Sequence, residues 1–275
     1  MFDNEIEGSA RDRGRGKGKR VKRGVYILPN LITSASLFAG FYSIIACIDG
    51  KFERAAIAIL ISAVLDGLDG RVARLTKTSS KFGFEYDSLA DLVAFGLAPG
   101  VLIFIWALKP FGRYGWLAAF LYVVCGALRL ARFNVQVTTV ESRAFKGLPI
   151  PAAASLVAST VLFFFYMGQE ETTKHITVLI LVYSLAFLMV SNVKYYSFKE
   201  LDLSRRMPFR FLVGFILVLI VVAAEPSVML FFLTFGYVIS GPVTILFHRK
   251  KSMVTQAGNA RQKEKKPRID RLKNE

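Results

Sequence analysis

The chain has 275 residues, of which 53% are hydrophobic and 13% aromatic, with 36 Lys and Arg against 20 Asp and Glu for a formal charge of +16. A mean hydropathy of +0.44 alongside 20% charged residues requires charges segregated from long apolar runs, the pattern of a membrane protein rather than a water-soluble domain. Cys47 and Cys125 lie in apolar runs and His175 and His248 stand far apart, which excludes a disulfide framework, a Cys/His zinc site and a histidine-based triad.

Residues 1–27 hold eight basic residues, from Arg11 to Arg23, in a Gly-rich run read as a disordered extension. The first apolar run begins too far along for a cleavable signal peptide, so it is read as a retained helix. Runs of about 20 apolar residues predict an all-α integral membrane protein of eight transmembrane helices, roughly 28–48, 53–75, 88–108, 114–134, 150–168, 174–193, 209–224 and 226–247. A tight turn at Glu225 and Pro226 joins the last two, and 248–275 form a basic tail. Residues 176–190 and 211–224 carry no polar stripe, which argues against a soluble helical bundle.

Thirty-one of the 36 basic residues fall in the two terminal segments and the links after the second, fourth and sixth helices. Only Lys51, Arg54, Lys109, Arg113 and Lys174 fall on the other side. The positive-inside rule therefore puts both termini in the cytoplasm, and an even number of spans requires them to share a side. The basic excess is accounted for by topology and by attraction to anionic membrane lipids. No nucleic-acid partner is expected, because the basic tails lack interleaved aromatics.

One region breaks the hydropathy pattern. Asp66 and Asp69 stand three apart and share a helix face; Asp87 and Asp91 stand four apart and share a face of the next helix. The link between them is short enough for antiparallel neighbours, so four carboxylates can converge near the cytoplasmic boundary. An aspartate at a helix centre costs about 2.5–3.5 kcal/mol to insert, less near the interface. Divalent cations offset that cost and the mutual repulsion, and hard carboxylate oxygens suit Mg²⁺, Mn²⁺ or Ca²⁺. Gly67, Gly70, Ala73 and Gly83 remove bulk from the same turns, so a ligand or a backbone can come close. Arg74 is placed to hold a phosphate oxygen. A structural salt-bridge cluster with Arg71, Arg74 and Lys81 is the plainer alternative.

The pattern Asp66-x-x-Asp69-Gly70-x-x-Ala73-Arg74, eight residues, Gly83-x-x-x-Asp87-x-x-x-Asp91 resembles the signature of the CDP-alcohol phosphatidyltransferase family at every fixed position. Leu128-Arg129-Leu130-Ala131-Arg132-Phe133-Asn134, Lys146-Gly147-Leu148-Pro149-Ile150-Pro151-Ala152-Ala153 and Pro29-Asn30-Leu31-Ile32-Thr33 resemble its membrane-type phosphatidylserine synthases of bacteria and archaea. The resemblance covers roughly residues 25–250. It implies transfer of the phosphatidyl group of CDP-diacylglycerol to L-serine, with release of CMP, by a homodimer in the inner cell membrane with its active site facing the cytoplasm. It implies one or two Mg²⁺ or Mn²⁺ ions on Asp66, Asp69 and Asp87, with Asp91 completing the acidic set as general base. Asn30, Thr33, Asp66, Gly70, Ala73, Arg74 and Gly83 would bind CDP-diacylglycerol. Arg129, Arg132, Asn134 and Lys146 would bind serine or phosphate, an Arg pair suiting the carboxylate of an amino-acid acceptor. Asn30 and Thr33 equally suit a cap of the first helix. Alternatives are a sibling enzyme accepting glycerol 3-phosphate or inositol phosphate, a membrane cation transporter, and a scaffold presenting basic tails. The transporter should carry acids in both halves of the chain, and helices five to eight have none in their interiors. The scaffold leaves the glycine–aspartate cluster unexplained.

Overall fold

The computed structural model describes residues 27–76, 80–138, 145–168, 175–195, 214 and 224–244. The predicted N-terminal extension (save Ile27), the basic tail and nearly all of the predicted helix 209–224 lie outside the described residues. The remaining apolar runs all form helices. These are α1 (Ile27–Ile48), α2 (Phe52–Thr76), α3 (Lys81–Phe111), α4 (Arg113–Thr138), α5 (Ile150–Tyr166), α6 (Ile176–Val190) and α7 (Pro226–Thr244). Among the described residues, four segments are long and apolar enough to cross a membrane: Pro29–Ile48, Lys81–Phe111, Arg113–Gln136 and Pro226–Thr244. The protein is thus a multi-pass, helical membrane protein. One antiparallel ladder of two residues per strand joins β1 (Phe145–Lys146) to β2 (Lys194–Tyr195), pairing Phe145 with Tyr195.

α1 ends because Gly50 takes a left-handed φ of 74°. Its N–H reaches the Cys47 carbonyl at 3.1 Å and the Lys51 N–H reaches Ala46 at 2.8 Å. This is the paired bonding of a Schellman stop, and it turns the chain straight into α2. Apolar attraction contributes little between helices in lipid, so close approach and polar pairs hold α1 to its neighbours. Ser36 and Ser62 are buried and their hydroxyls meet at 2.7 Å, locking α1 to α2. Each hydroxyl also reaches the other's backbone carbonyl. On the α3 side, a Cβ at Gly40 would lie 2.6 Å from the Ala94 Cα, so glycine is what lets these two backbones touch.

α3 is longer than the apolar run that predicts it. Helix begins at Lys81, capped by Ser80, whose Oγ accepts the Gly83 N–H at 2.9 Å. It continues through two wider π-turns, Leu92–Leu97 and Phe104–Leu108. The first opens directly after Asp91. A π-turn inserts a residue into the helix, which rotates the faces on either side by about 100° relative to each other.

α5 is the buried spine. From Ile150 to Leu162 it carries ten buried residues, including Ala153, Ala154 and Ala158, whose small side chains admit neighbours closely. Pro149 is its N-cap residue and Pro151 lies in its first turn, where a missing N–H costs nothing. α7 docks through Thr234, 2.9 Å from Ser159, through Phe231, stacked on Phe163 at 4.7 Å, and through the Val238 carbonyl, which accepts from the Tyr195 hydroxyl at 3.1 Å. Gly241 packs within the chain against the Tyr195 ring.

Candidate active site

Asp66 and Asp69 sit in the later turns of α2, and Asp87 in the opening turns of α3. Because the two helices are joined by a short link, their acid-bearing faces meet. One carboxylate oxygen from each of these three aspartates lies within 4.8 Å of the other two. Asp69 is the most enclosed, only 5% exposed. It accepts a hydrogen bond from Thr33 Oγ1 of α1 at 2.9 Å, and the same hydroxyl also contacts the Pro29 carbonyl at 3.1 Å. Asp69 is further bonded to the Gly70 backbone and to the Asp87 side chain. Two carboxyl groups in contact must share a proton or a cation.

The donor set suits a hard divalent ion. Ligand oxygens at 2.0–2.1 Å around an octahedral Mg²⁺ stand about 3.0 Å apart when adjacent and about 4.2 Å when opposed. Closing the present spread onto such an ion takes side-chain shifts on the order of 1 Å.

Asp91, one helical turn beyond Asp87, is outside that trio. It is partly buried, and the charges it faces are Asp66, Asp87 and Asp69, opposed by Arg129. Arg129 is itself buried, 9% exposed, with its guanidinium carbon 5.9 Å from the Phe133 ring centroid. Its electrostatic neighbours are Asp91, Tyr237 and Asp66. The fourth acid thus feels Arg129 as well as the other three acids, which lie close enough together to share a cation.

The remaining predicted residues divide. Gly83 sits under Asn30: a Cβ there would meet Ser80 Oγ at 3.1 Å and Asn30 Oδ1 at 3.2 Å, so the start of α1 touches the start of α3. Gly70 borders open space, with nothing within 4 Å of an added Cβ. Arg132, expected to pair with Arg129, points elsewhere. It donates to Asn192 Oδ1 at 2.7 Å and to the Val190 carbonyl at 3.5 Å, at the C-terminal end of α6. Asn134 is joined to Ser88 of α3. Ala73 and Arg74 are in the last turns of α2 and Lys146 is in β1, but their side chains lie outside the described residues.

Two contributors escaped the sequence. Tyr86 fixes α3 to α1 through a 2.8 Å bond to Ser34. Tyr237 comes from α7, more than a hundred residues after Arg129, and nothing in its apolar context marks it. Aromatic residues in a membrane helix are ordinarily packing, and only the docked position of α7 distinguishes this one.

The site is thus a pair of membrane-protein helices whose three clustered aspartates could hold a divalent ion, with glycines in the same turns. The chain belongs to the CDP-alcohol phosphatidyltransferase family, whose model matches residues 26–196. Among individual proteins, it is 44% identical over 200 residues to the CDP-diacylglycerol–serine O-phosphatidyltransferase of Helicobacter pylori strain ATCC 700392 / 26695, covering 71% of this chain and 80% of that one. The protein of the same name from strain J99 is 40% identical over 235 residues, 83% of this chain and 98% of its own length. The archaetidylserine synthase of Methanothermobacter thermautotrophicus is 37% identical over 170 residues, 61% of this chain and 69% of its own. The family match ends before α7, so Tyr237 lies beyond it.

Proposed function

We propose that the protein transfers the phosphatidyl group of CDP-diacylglycerol to the hydroxyl of L-serine, yielding phosphatidylserine and CMP. The observation that carries this is the meeting of Asp66, Asp69 and Asp87 within 4.8 Å, in a chain whose relatives bear the serine transferase name.

Asp66, Asp69 and Asp87 would hold one or two Mg²⁺ or Mn²⁺ ions. Bound there, the metal supplies Lewis acidity to the diphosphate and neutralises charge on the departing CMP. Thr33 orients Asp69 for that task. Asp91, adjacent to the trio but outside it, accepts the proton of the serine hydroxyl. The serine oxygen then bonds to the phosphatidyl phosphorus in line as the bond to CMP breaks, and CMP leaves with the electron pair. Positioning a nucleophile in this way needs no covalent enzyme intermediate.

Arg129, buried beside Asp91, receives the serine carboxylate, and Lys146 adds positive charge to the same region. Arg74 holds a phosphate oxygen of the donor, with Gly70 leaving room for it and Asn30, packed against Gly83, beside the nucleotide.

Further parts of this proposal follow from charge and hydropathy. Residues 28–247 form an eight-span domain flanked by a basic extension, 1–27, and a basic tail, 248–275, with both termini in the cytoplasm. The active site faces the cytoplasm from the inner membrane, where a soluble amino acid can reach it and acyl chains enter from the bilayer. From the family resemblance, rather than from charge, we propose a homodimer as the working unit.

The test is CMP release by detergent-purified protein given CDP-diacylglycerol and Mn²⁺ or Mg²⁺. L-serine, glycerol 3-phosphate and inositol phosphate are each supplied alone, beside a sample without acceptor. Serine-dependent release that falls 10²–10⁴-fold, roughly the span of general-base contributions, in Asp91→Asn is the expected result. Release only with another acceptor overturns the serine assignment; no release from folded protein overturns the reaction.

A further inference from the structure

The segment Leu128-Arg129-Leu130-Ala131-Arg132-Phe133-Asn134 near the end of α4 reads in sequence as one acceptor-binding patch. Folded, its polar side chains face three ways. Arg129 has Asp91 among its electrostatic neighbours, Arg132 reaches the end of α6, and Asn134 reaches α3.

The Asn134 contact is reciprocal. Nδ2 donates to Ser88 Oγ at 3.0 Å, and the Ser88 hydroxyl has Asn134 Oδ1 and the Phe84 carbonyl as acceptors, both at 3.2 Å. Both polar ends of the amide are thus engaged with a single residue. Phe133, next in the chain, lies beside Phe84 with ring centroids 6.5 Å apart, so α4 grips α3 at two neighbouring points.

Ser88 directly follows Asp87 and stands one turn before Asp91. The first π-turn of α3 begins at Leu92 and separates this acidic turn from the rest of the span. A wider turn weakens the regular hydrogen-bond ladder that would otherwise transmit the helix's rotation. The acidic turn is held instead from two sides, by Ser34 of α1 on Tyr86 and by Asn134 of α4 on Ser88.

We infer that Asn134 is a positioning residue that acts through Ser88, setting the rotation of the α3 turn that carries Asp87 and Asp91 toward Asp66 and Asp69. The inference rests on the metal-dependent transferase assignment above and replaces an acceptor-ligand role for Asn134.

The experiment compares Asn134→Ala, Ser88→Ala, the double variant and Ser88→Thr with the wild type. It measures kcat, KM for L-serine, and the Mn²⁺ concentration giving half-maximal CMP release. Mn²⁺ binding is also titrated by EPR without substrate, which reads the clamp without turnover. Losing a group that orients ligating side chains costs 10–100-fold in metal affinity or activity. Acting one residue removed, each single alanine variant should weaken Mn²⁺ binding about ten-fold and lower kcat with it, with KM for serine unchanged. The double variant should be no worse than the more affected single, and Ser88→Thr, which keeps the hydroxyl, should stay near wild type. A raised KM for serine in Asn134→Ala alone, with Ser88→Ala like the wild type, overturns the inference. So does unchanged Mn²⁺ binding in both. If the wild type uses a different acceptor, the serine assignment falls, and the same comparison made with that acceptor still decides the role of Asn134.

Discussion

Replacing Thr33 by valine isolates one bond in the acidic cluster. Valine keeps the branched shape, so the packing of α1 is preserved while the 2.9 Å hydrogen bond to the Asp69 carboxylate is lost. Both partners are buried, at 4% and 5% exposure, so water cannot replace the missing donor. A hydrogen bond to a charged group contributes about 1.5–3 kcal/mol, and about 2 kcal/mol corresponds to roughly 30-fold in an equilibrium constant. The Gly70 backbone bond to Asp69 persists in the variant and retains part of that orientation. The expected outcome is therefore about a ten-fold rise in the Mn²⁺ needed for half-maximal CMP release. EPR titration of Mn²⁺ on the same sample should give a matching shift. KM for CDP-diacylglycerol should change little. A variant that binds Mn²⁺ like the wild type but shows a raised KM for CDP-diacylglycerol would refute this reasoning and make Thr33 a contact for the nucleotide.

Two other outcomes are expected. Chelation with EDTA should abolish CMP release and either Mg²⁺ or Mn²⁺ should restore it, whereas activity that survives exhaustive chelation would contradict the metal assignment of Asp66, Asp69 and Asp87. Gly147→Ala should lower the thermal unfolding midpoint in detergent more than Gly168→Ala: both glycines have left-handed φ, 90° and 75°, which costs alanine about 1–2 kcal/mol, but only the Cβ at 147 would collide with the Met189 carbonyl. Equal losses at the two sites would show that this backbone crossing, where the Gly147 N–H bonds Val193 at 2.8 Å, adds nothing.

Much of the site was legible before folding because the helix period is local. Three- and four-residue spacing puts Asp66 with Asp69 and Asp87 with Asp91 on shared faces, whatever surrounds them. Gly67 and Gly70, in the same turns, border open space. Spacing could not say which three of the four acids would meet. Nor could it separate Arg129 from Arg132, which stand three apart on one helix yet serve different neighbours.

The sequence by itself determined the helical, membrane-spanning character of the chain, the position of the acids near one helix end, and the family, because each depends on residue type and local spacing. Tertiary structure alone decided that Asp69 meets Thr33, 36 residues away, that Asp91 lies outside the trio of clustered acids, and that α7 brings Tyr237 into the electrostatic neighbourhood of Arg129. Periodicity defines the face of one helix but not the rotation of that face against its neighbours. In this chain that rotation is set by contacts between distant residues, such as Gly40 against Ala94 and Ser36 with Ser62. The π-turn after Asp91 adds a further offset of faces that a regular helical repeat does not reveal.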